Sequence, residues 1–204
     1  MATPYVLNVD HQGTSCGDFC IYQTYEEQDE DIRSLVWFSK KAHPGTMIKF
    51  GWNVDYSFAW CEEGTLEPGV VFHASEVRKA DPSNTSENSI AFKREKGAYH
   101  FVDSDHKTTQ GKLGIRCDGS IPAGKVSIGI GMSGNPAFAR PADPNLQYTF
   151  APHPKYWIAF GDFEEGEVID LNRMTQRYEI KFPVNQYERS IRLTPDNTWE
   201  AADE

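Results

Sequence analysis

The sequence predicts an all-β fold: one antiparallel β-sandwich domain of many short strands, spanning residues 1–204. Three observations predict it. Short apolar or alternating runs recur along the whole chain, each closed by Gly, Pro, Asn or Asp. No segment longer than two helical turns repeats its apolar residues with a helical period. Apolar residues make up 39% and aromatics 13%, enough Trp, Tyr and Phe to fill a sandwich core.

In chain order the runs lie at 5–9, 19–23, 35–38, 47–50, 56–60, 70–73, 90–92 and 99–102. They continue at 113–116, 126–130, 146–150, 156–160, 168–171, 178–182 and 190–193. Most alternate, which suits strands with one buried face. In 56–60 the alternation puts Tyr56, Phe58 and Trp60 on one face and Ser57 and Ala59 on the other. Tyr148 and Phe150 share a face in the same way. Segment 75–80 reads as one helical turn, stopped by Asp81-Pro82-Ser83-Asn84. Residues 81–89 and 103–111 read as exposed polar loops, and about 195–204 as an acidic extension anchored by Trp199.

Charge narrows the partner classes. Thirty acids against twenty bases give a formal charge of −10, which repels a phosphate backbone and an anionic membrane surface. Nucleic acid is therefore not an expected partner. No apolar stretch approaches the length of a membrane helix, and the first residues lack the pattern of a secretory signal. The expectation is a soluble chain, cytoplasmic or exported by a non-classical route. The acidic run 26–31 lacks the spaced ligands and turn Gly of a calcium loop and reads as a solvated surface. Cys16, Cys20, Cys61 and Cys117 leave thiol, disulfide and metal readings open. If 18–24 is a strand, Cys20 faces the side of Tyr22 and reads as a small core residue.

Catalytic patterns fail one after another. Gly129-Ile-Gly-Met-Ser-Gly134 has the letters of a dinucleotide loop, but Asn135-Pro136 follows where a helix must start. Those glycines read instead as places of close backbone approach. Ser133 lacks the G-x-S-x-G elbow. Six scattered histidines form no ligand pair, and His73, His100 and His106 are the grouping to inspect for a site assembled from distant strands. Choosing a carboxylate pair from Asp162, Glu164, Glu165 and Glu167 is arbitrary where acids are abundant. The reading is of no catalytic residues, no metal and no cofactor.

The most distinctive segment is 141–157, where four prolines stand beside Tyr148, Phe150, Tyr156 and Trp157. Stiff turns hold aromatics in place, and flat rings stack on the apolar faces of sugars. Tyr148, His153, Tyr156 and Trp157 are the candidate ligand-binding residues, against the alternative of two core strands joined by an ordered turn. Three classes of function stand open. They are a recognition protein for carbohydrate or a host surface component, a membrane-active sandwich using Trp37, Phe38, Tyr156 and Trp157, and an enzyme assembled from distant strands. Association into a homo-oligomer through a strand edge is open as well.

Several phrases carry a family resemblance. Gly17-Asp-Phe-Cys-Ile-Tyr-Gln23, Trp37-Phe38 with Ala42-His-Pro44, Tyr56-Ser-Phe-Ala-Trp60, Pro68-Gly-Val-Val-Phe72, Gly129-Ile-Gly-Met-Ser-Gly134 and Phe150-Ala-Pro-His-Pro-Lys-Tyr-Trp157 resemble the RhiA-like (rhizosphere-expressed) proteins. The likeness runs from about Tyr5 to Trp199. It implies contact between a microbe and a plant or its surroundings, with expression linked to population signals, and it transfers no catalytic residue. The chain is more charged than that pattern at 26–31 and 173–189, which bears on the partner class.

Overall fold

The computed structural model describes residues 4–25, 31–152, 155–172, 174 and 176–202, and the described residues contain strands and turns but no helix. Four small sheets surround a shared core. The first orders β17 (Trp199–Ala201), β16 (Glu188–Leu193), β1 (Tyr5–His11) and β5 (Thr46–Trp52). The second orders β15 (Arg177–Ile180), β14 (Lys155–Gly161), β2 (Gly17–Thr24) and β4 (Val36–Ala42). The third orders β3 (Arg33–Ser34), β12 (Asn135–Pro141), β11 (Ser127–Met132), β6 (Tyr56–Cys61) and β7 (Glu76–Ala80). The fourth orders β13 (Gln147–Phe150), β10 (Leu113–Cys117), β8 (Ser89–Glu95) and β9 (Ala98–Asp103).

The sandwich follows from which faces are apolar. The first sheet packs on the second, with His11 5.0 Å from Phe19 and Trp52 5.5 Å from Trp37 between ring centroids. The third packs on the fourth through Trp60 and Phe92 at 5.4 Å and Phe58 and Phe101 at 6.3 Å. Second and third sheets adjoin where Trp37 Nε1 donates to Met132 O at 2.9 Å and Asn135 Nδ2 to Trp37 O at 3.1 Å. One continuous apolar core therefore takes Leu7 and Phe50, Phe19 and Ile158, Phe58 and Ile130, and Phe92 and Phe150 from the four sheets in turn. The alternation in β6 holds: Phe58 and Trp60 enter this core, while Ala59 faces a smaller cluster with Leu35, Phe72 and Val168.

Pairing is antiparallel with two exceptions. β1 runs parallel to β16, and β8 parallel to β10. β1 and β16 come from opposite ends of the chain, so no hairpin constrains their direction.

Three segments differ from their sequence readings, and two that carried no strand reading form strands. Residues 75–80 contain strand β7 rather than a helical turn, because Glu76, Arg78 and Ala80 pair along β6 from Trp60 to Tyr56. Residues 135–141 form strand β12. Its prolines are tolerated because Pro136 sits at the register shift beside Gly131 and Pro141 ends the strand. The apolar runs at 70–73 and 168–171 give only single bridges, Val71 to Glu167 and Leu35 to Val168. Residues 199–201 in the C-terminal extension pair with β16.

The G-x-G-x-x-G letters prove to be a hairpin. β11 turns into β12 through Ser133 and Gly134, both left-handed at φ 52° and 82°, as a two-residue hairpin turn requires. A Cβ on Gly129 or Gly131 would collide with the Phe138 or Asn135 carbonyl, so the third sheet closes only with glycine there. Cys20 is buried beside Tyr22, Val36 and Ala159 on the outer face of the second sheet. All four cysteines are free thiols, and only Cys16 is exposed.

Candidate aromatic groove and the predicted site residues

Strand β14 separates the residues that sequence reading grouped. Neighbours on a strand point to opposite faces, so Tyr156 turns to the shared core and Trp157 to the outer cluster of Cys20, Tyr22 and Ala159. Trp157 Nε1 donates to Thr24 Oγ1 at 3.0 Å, and the Arg177 guanidinium covers its ring at 4.7 Å. Tyr148 lies in the fourth sheet's core at 6% exposure. Its hydroxyl accepts the Asp143 N–H at 2.8 Å and Arg140 covers its ring at 4.5 Å, so it braces the loop between β12 and β13. His153 lies outside the described residues. Tyr148, Tyr156 and Trp157 therefore do not share one surface.

Tyr156 does belong to a concave site. At the end of the first and second sheets, a groove of about 410 Å³ is lined by Tyr5, Tyr156 and Phe182, with Lys155, Glu179 and Lys181 among its polar groups. Tyr5 holds the centre. It stacks on Trp52 at 6.0 Å and 16°, meets Phe182 edge-on at 4.7 Å, and stands 5.4 Å from Tyr187. Tyr187 is exposed, and the turn it closes carries Val184 at 89% exposure. The turn is ordered by Gln186 N donating to Pro183 O at 2.9 Å and by left-handed Asn185.

Backbone pairing brings these rings together. Val6 N donates to Tyr187 O at 2.7 Å, which continues the parallel β1 and β16 register and sets Tyr5 beside Tyr187. Tyr156 pairs with Ile180 across β14 and β15, so Phe182 arrives just beyond the strand end. Lys181 Nζ reaches Glu179 Oε2 at 2.9 Å, giving the mouth both signs of charge. Sequence reading missed Tyr5, Phe182 and Tyr187. The aromatic flanks of the 183–186 turn are a local signal, but their junction with Tyr5 depends on pairing of the two chain ends.

Behind the groove Trp52 and Trp37 are buried. Burial pushes the Tyr156 phenol well above its ordinary range, and the nearby Tyr56 and Tyr5 phenols act in the same direction. The Trp52 indole favours the ionised form slightly, and its buried Nε1 has no hydrogen-bond partner among the described residues. Tyr156 is therefore a neutral phenol throughout the physiological range. The groove offers ring faces and phenol hydroxyls beside charged groups, a set suited to orienting a polyhydroxylated ligand.

Other candidate chemistry does not converge. His100 lies 3.9 Å from Glu95 and His106 3.5 Å from Asp105, while His73 is exposed. Among the described residues no group of three or more His, Cys, Asp or Glu could hold a metal ion. Trp37, read as an exposed aromatic in the membrane-active alternative, is fully buried. No helix among the described residues is long and apolar enough to cross a membrane.

Comparison with known proteins places the whole chain. The family model described as RhiA matches residues 2–204. The chain is 34% identical over 201 residues to Protein RhiA of Rhizobium leguminosarum bv. viciae, covering 97% of this chain and 86% of that protein. No solved structure matches.

Proposed function

The chain belongs to the RhiA family, and from that premise we propose that it is a non-catalytic recognition protein that takes a saccharide in the aromatic groove. The observation that supports this reading is the gathering of Tyr5, Tyr156, Phe182 and Tyr187 at one end of the sandwich with Lys155, Glu179 and Lys181. Ring faces there would stack on the apolar face of a sugar, and the charged groups would reach its hydroxyls. The setting is contact between a microbe and a host or its surroundings, the ligand being a carbohydrate or host surface component. Of the residues first singled out, Tyr156 forms the floor, Trp157 and Tyr148 hold the scaffold, and His153 lies outside the described residues.

A glycan array followed by titration calorimetry tests the reading. At least one saccharide should bind, and Phe182→Ala or Tyr187→Ala should weaken it about tenfold, as loss of a contacting ring does. Trp157→Phe, on the opposite face, should leave affinity unchanged. Absence of binding to every saccharide at millimolar concentration, or binding indifferent to both groove variants, overturns it.

A further inference from the structure

A second concave site, about 400 Å³ in volume, lies on the outer face of the fourth sheet. Along β8 the core takes Ile90 and Phe92, so Ala91 and Lys93 point outward. Leu113 and Ile115 of β10 also enter the core, which turns Gly114 and Arg116 outward. Ala91 pairs with Arg116 on one side and Val102 on the other. Its short side chain thus stands among longer ones and forms the floor of a dish.

The wall is the loop 104–112, which folds back over the same face. Thr108 is buried against Gly114, where a Cβ would strike its hydroxyl, so only glycine lets the loop lie so close. Fully buried Asn88 fastens the loop from beneath its backbone, Nδ2 donating to Thr108 O at 3.0 Å and to Thr109 O at 3.2 Å. Gly111 N donates to Pro82 O at 2.7 Å. Those contacts set Asp105 and His106 beside the dish. A wall ordered before binding loses little freedom on binding.

Charge selects the ligand class. Lys93 and Arg116 bring two cations to the dish, and Asp105 and Asp118 bring two carboxylates. Among the described residues no ion pair joins the two sets, and neither cation has an ion pair elsewhere. Asp105 stands 3.5 Å from its neighbour His106, while Asp103 at the rim lies 3.5 Å from Arg78 of β7. Asp118 is fixed by Ser120, whose N–H at 2.9 Å and hydroxyl both donate to Oδ1. Those bonds hold the carboxylate in place without cancelling its charge. Opposite charges that line one space and do not meet across it match a ligand carrying both signs. A guanidinium receives a carboxylate through two parallel hydrogen bonds, and carboxylates receive the donors of an ammonium.

We propose that this dish binds a small amino acid as its zwitterion, the carboxylate on Arg116 and Lys93, the ammonium on Asp105 and Asp118, and the carbon body over Ala91. The dish stands on the fourth sheet and the saccharide groove on the first and second, so each reading can fail without the other.

Four probes separate the two charges. L-alanine and 4-aminobutyrate carry both, at different spacings, whereas butyrate and butylamine carry one each. Calorimetry gives affinity, and the backbone amide signals of Ala91, Lys93 and Arg116 report the place of binding. At least one amino acid should bind about tenfold more tightly than butyrate and butylamine. Lys93→Gln/Arg116→Gln should remove its advantage over butylamine. Asp105→Asn/Asp118→Asn, which keeps an acceptor for the Ser120 amide, should remove its advantage over butyrate. Ala91→Phe places a residue suited to strands on the floor and should abolish binding, with an unchanged thermal midpoint confirming the fold. Butyrate or butylamine binding as tightly as the better amino acid, binding indifferent to both charge variants or to Ala91→Phe, or no response to any probe at millimolar concentration overturns the proposal.

Discussion

Replacing Glu76 with alanine removes one carboxylate that joins two sheets. Glu76 stands on β7, the edge of the third sheet, and its Oε2 accepts both Trp60 Nε1 at 2.9 Å and Phe101 N at 3.0 Å. Phe101 belongs to β9, the edge of the fourth sheet. Without the carboxylate, a buried indole and a partly buried amide lose their acceptor. Each orphaned donor costs about 1–3 kcal/mol, and the 28% accessibility of the Glu76 side chain lets water recover part of it. The expected loss is about 3 kcal/mol. Glu76→Gln retains an acceptor oxygen and loses only charge assistance, about 1 kcal/mol. The half-exposed pair with Arg78 at 3.3 Å adds little to either figure. Urea unfolding followed by far-ultraviolet circular dichroism measures both variants without relying on the Trp60 signal. With a slope of about 2–3 kcal/mol per molar urea, the alanine midpoint should fall by about 1 M. An alanine variant within about 0.5 kcal/mol of wild type, or a glutamine variant as damaged as alanine, refutes the bridging role.

The cysteines give two further predictions. A maleimide should label Cys16 alone in the native protein, with Cys20, Cys61 and Cys117 reacting only on unfolding; native labelling of a second thiol would contradict their burial. Burial also pushes Cys61 and Cys117 up to about 12 from 9.0. An unfolded chain releases those protons from about pH 9 while the folded chain holds them, so their stabilising contribution is complete below pH 9 and is lost as pH rises toward 12. Cys61→Ala/Cys117→Ala should flatten the fall in stability over that window, measured by denaturant unfolding at several pH values, and an unchanged slope would show that the thiols are not responsible.

Local chemistry made much of this protein legible. Period-two alternation in 56–60 assigns Phe58 and Trp60 to one face and Ala59 to the other because it needs only the pleat of a single strand. The Gly129 to Gly134 run fails as a nucleotide loop because Asn135-Pro136 denies it a helix, and the same letters serve a hairpin. Family membership was visible in phrases spread over nearly the whole chain. Pairing was not legible. Residues 75–80 have too few apolar side chains to declare a strand, and β6 makes them one. Runs 70–73 and 168–171 have strand-like composition, yet they make only single bridges, Val71 to Glu167 and Leu35 to Val168, instead of extending a sheet.

The sites divide in the same way. Sequence alone determined the formal charge of −10 and the prolines and aromatics of 141–157. Only the tertiary structure decided that Tyr148 is a core brace, that Tyr156 and Trp157 serve opposite faces, and that Tyr5 meets Phe182 and Tyr187. The physical reason is that a side chain's face is set by its own strand's two-residue period, whereas its companions are set by hydrogen bonds between strands remote in sequence, here the parallel joining of the first strand to the sixteenth.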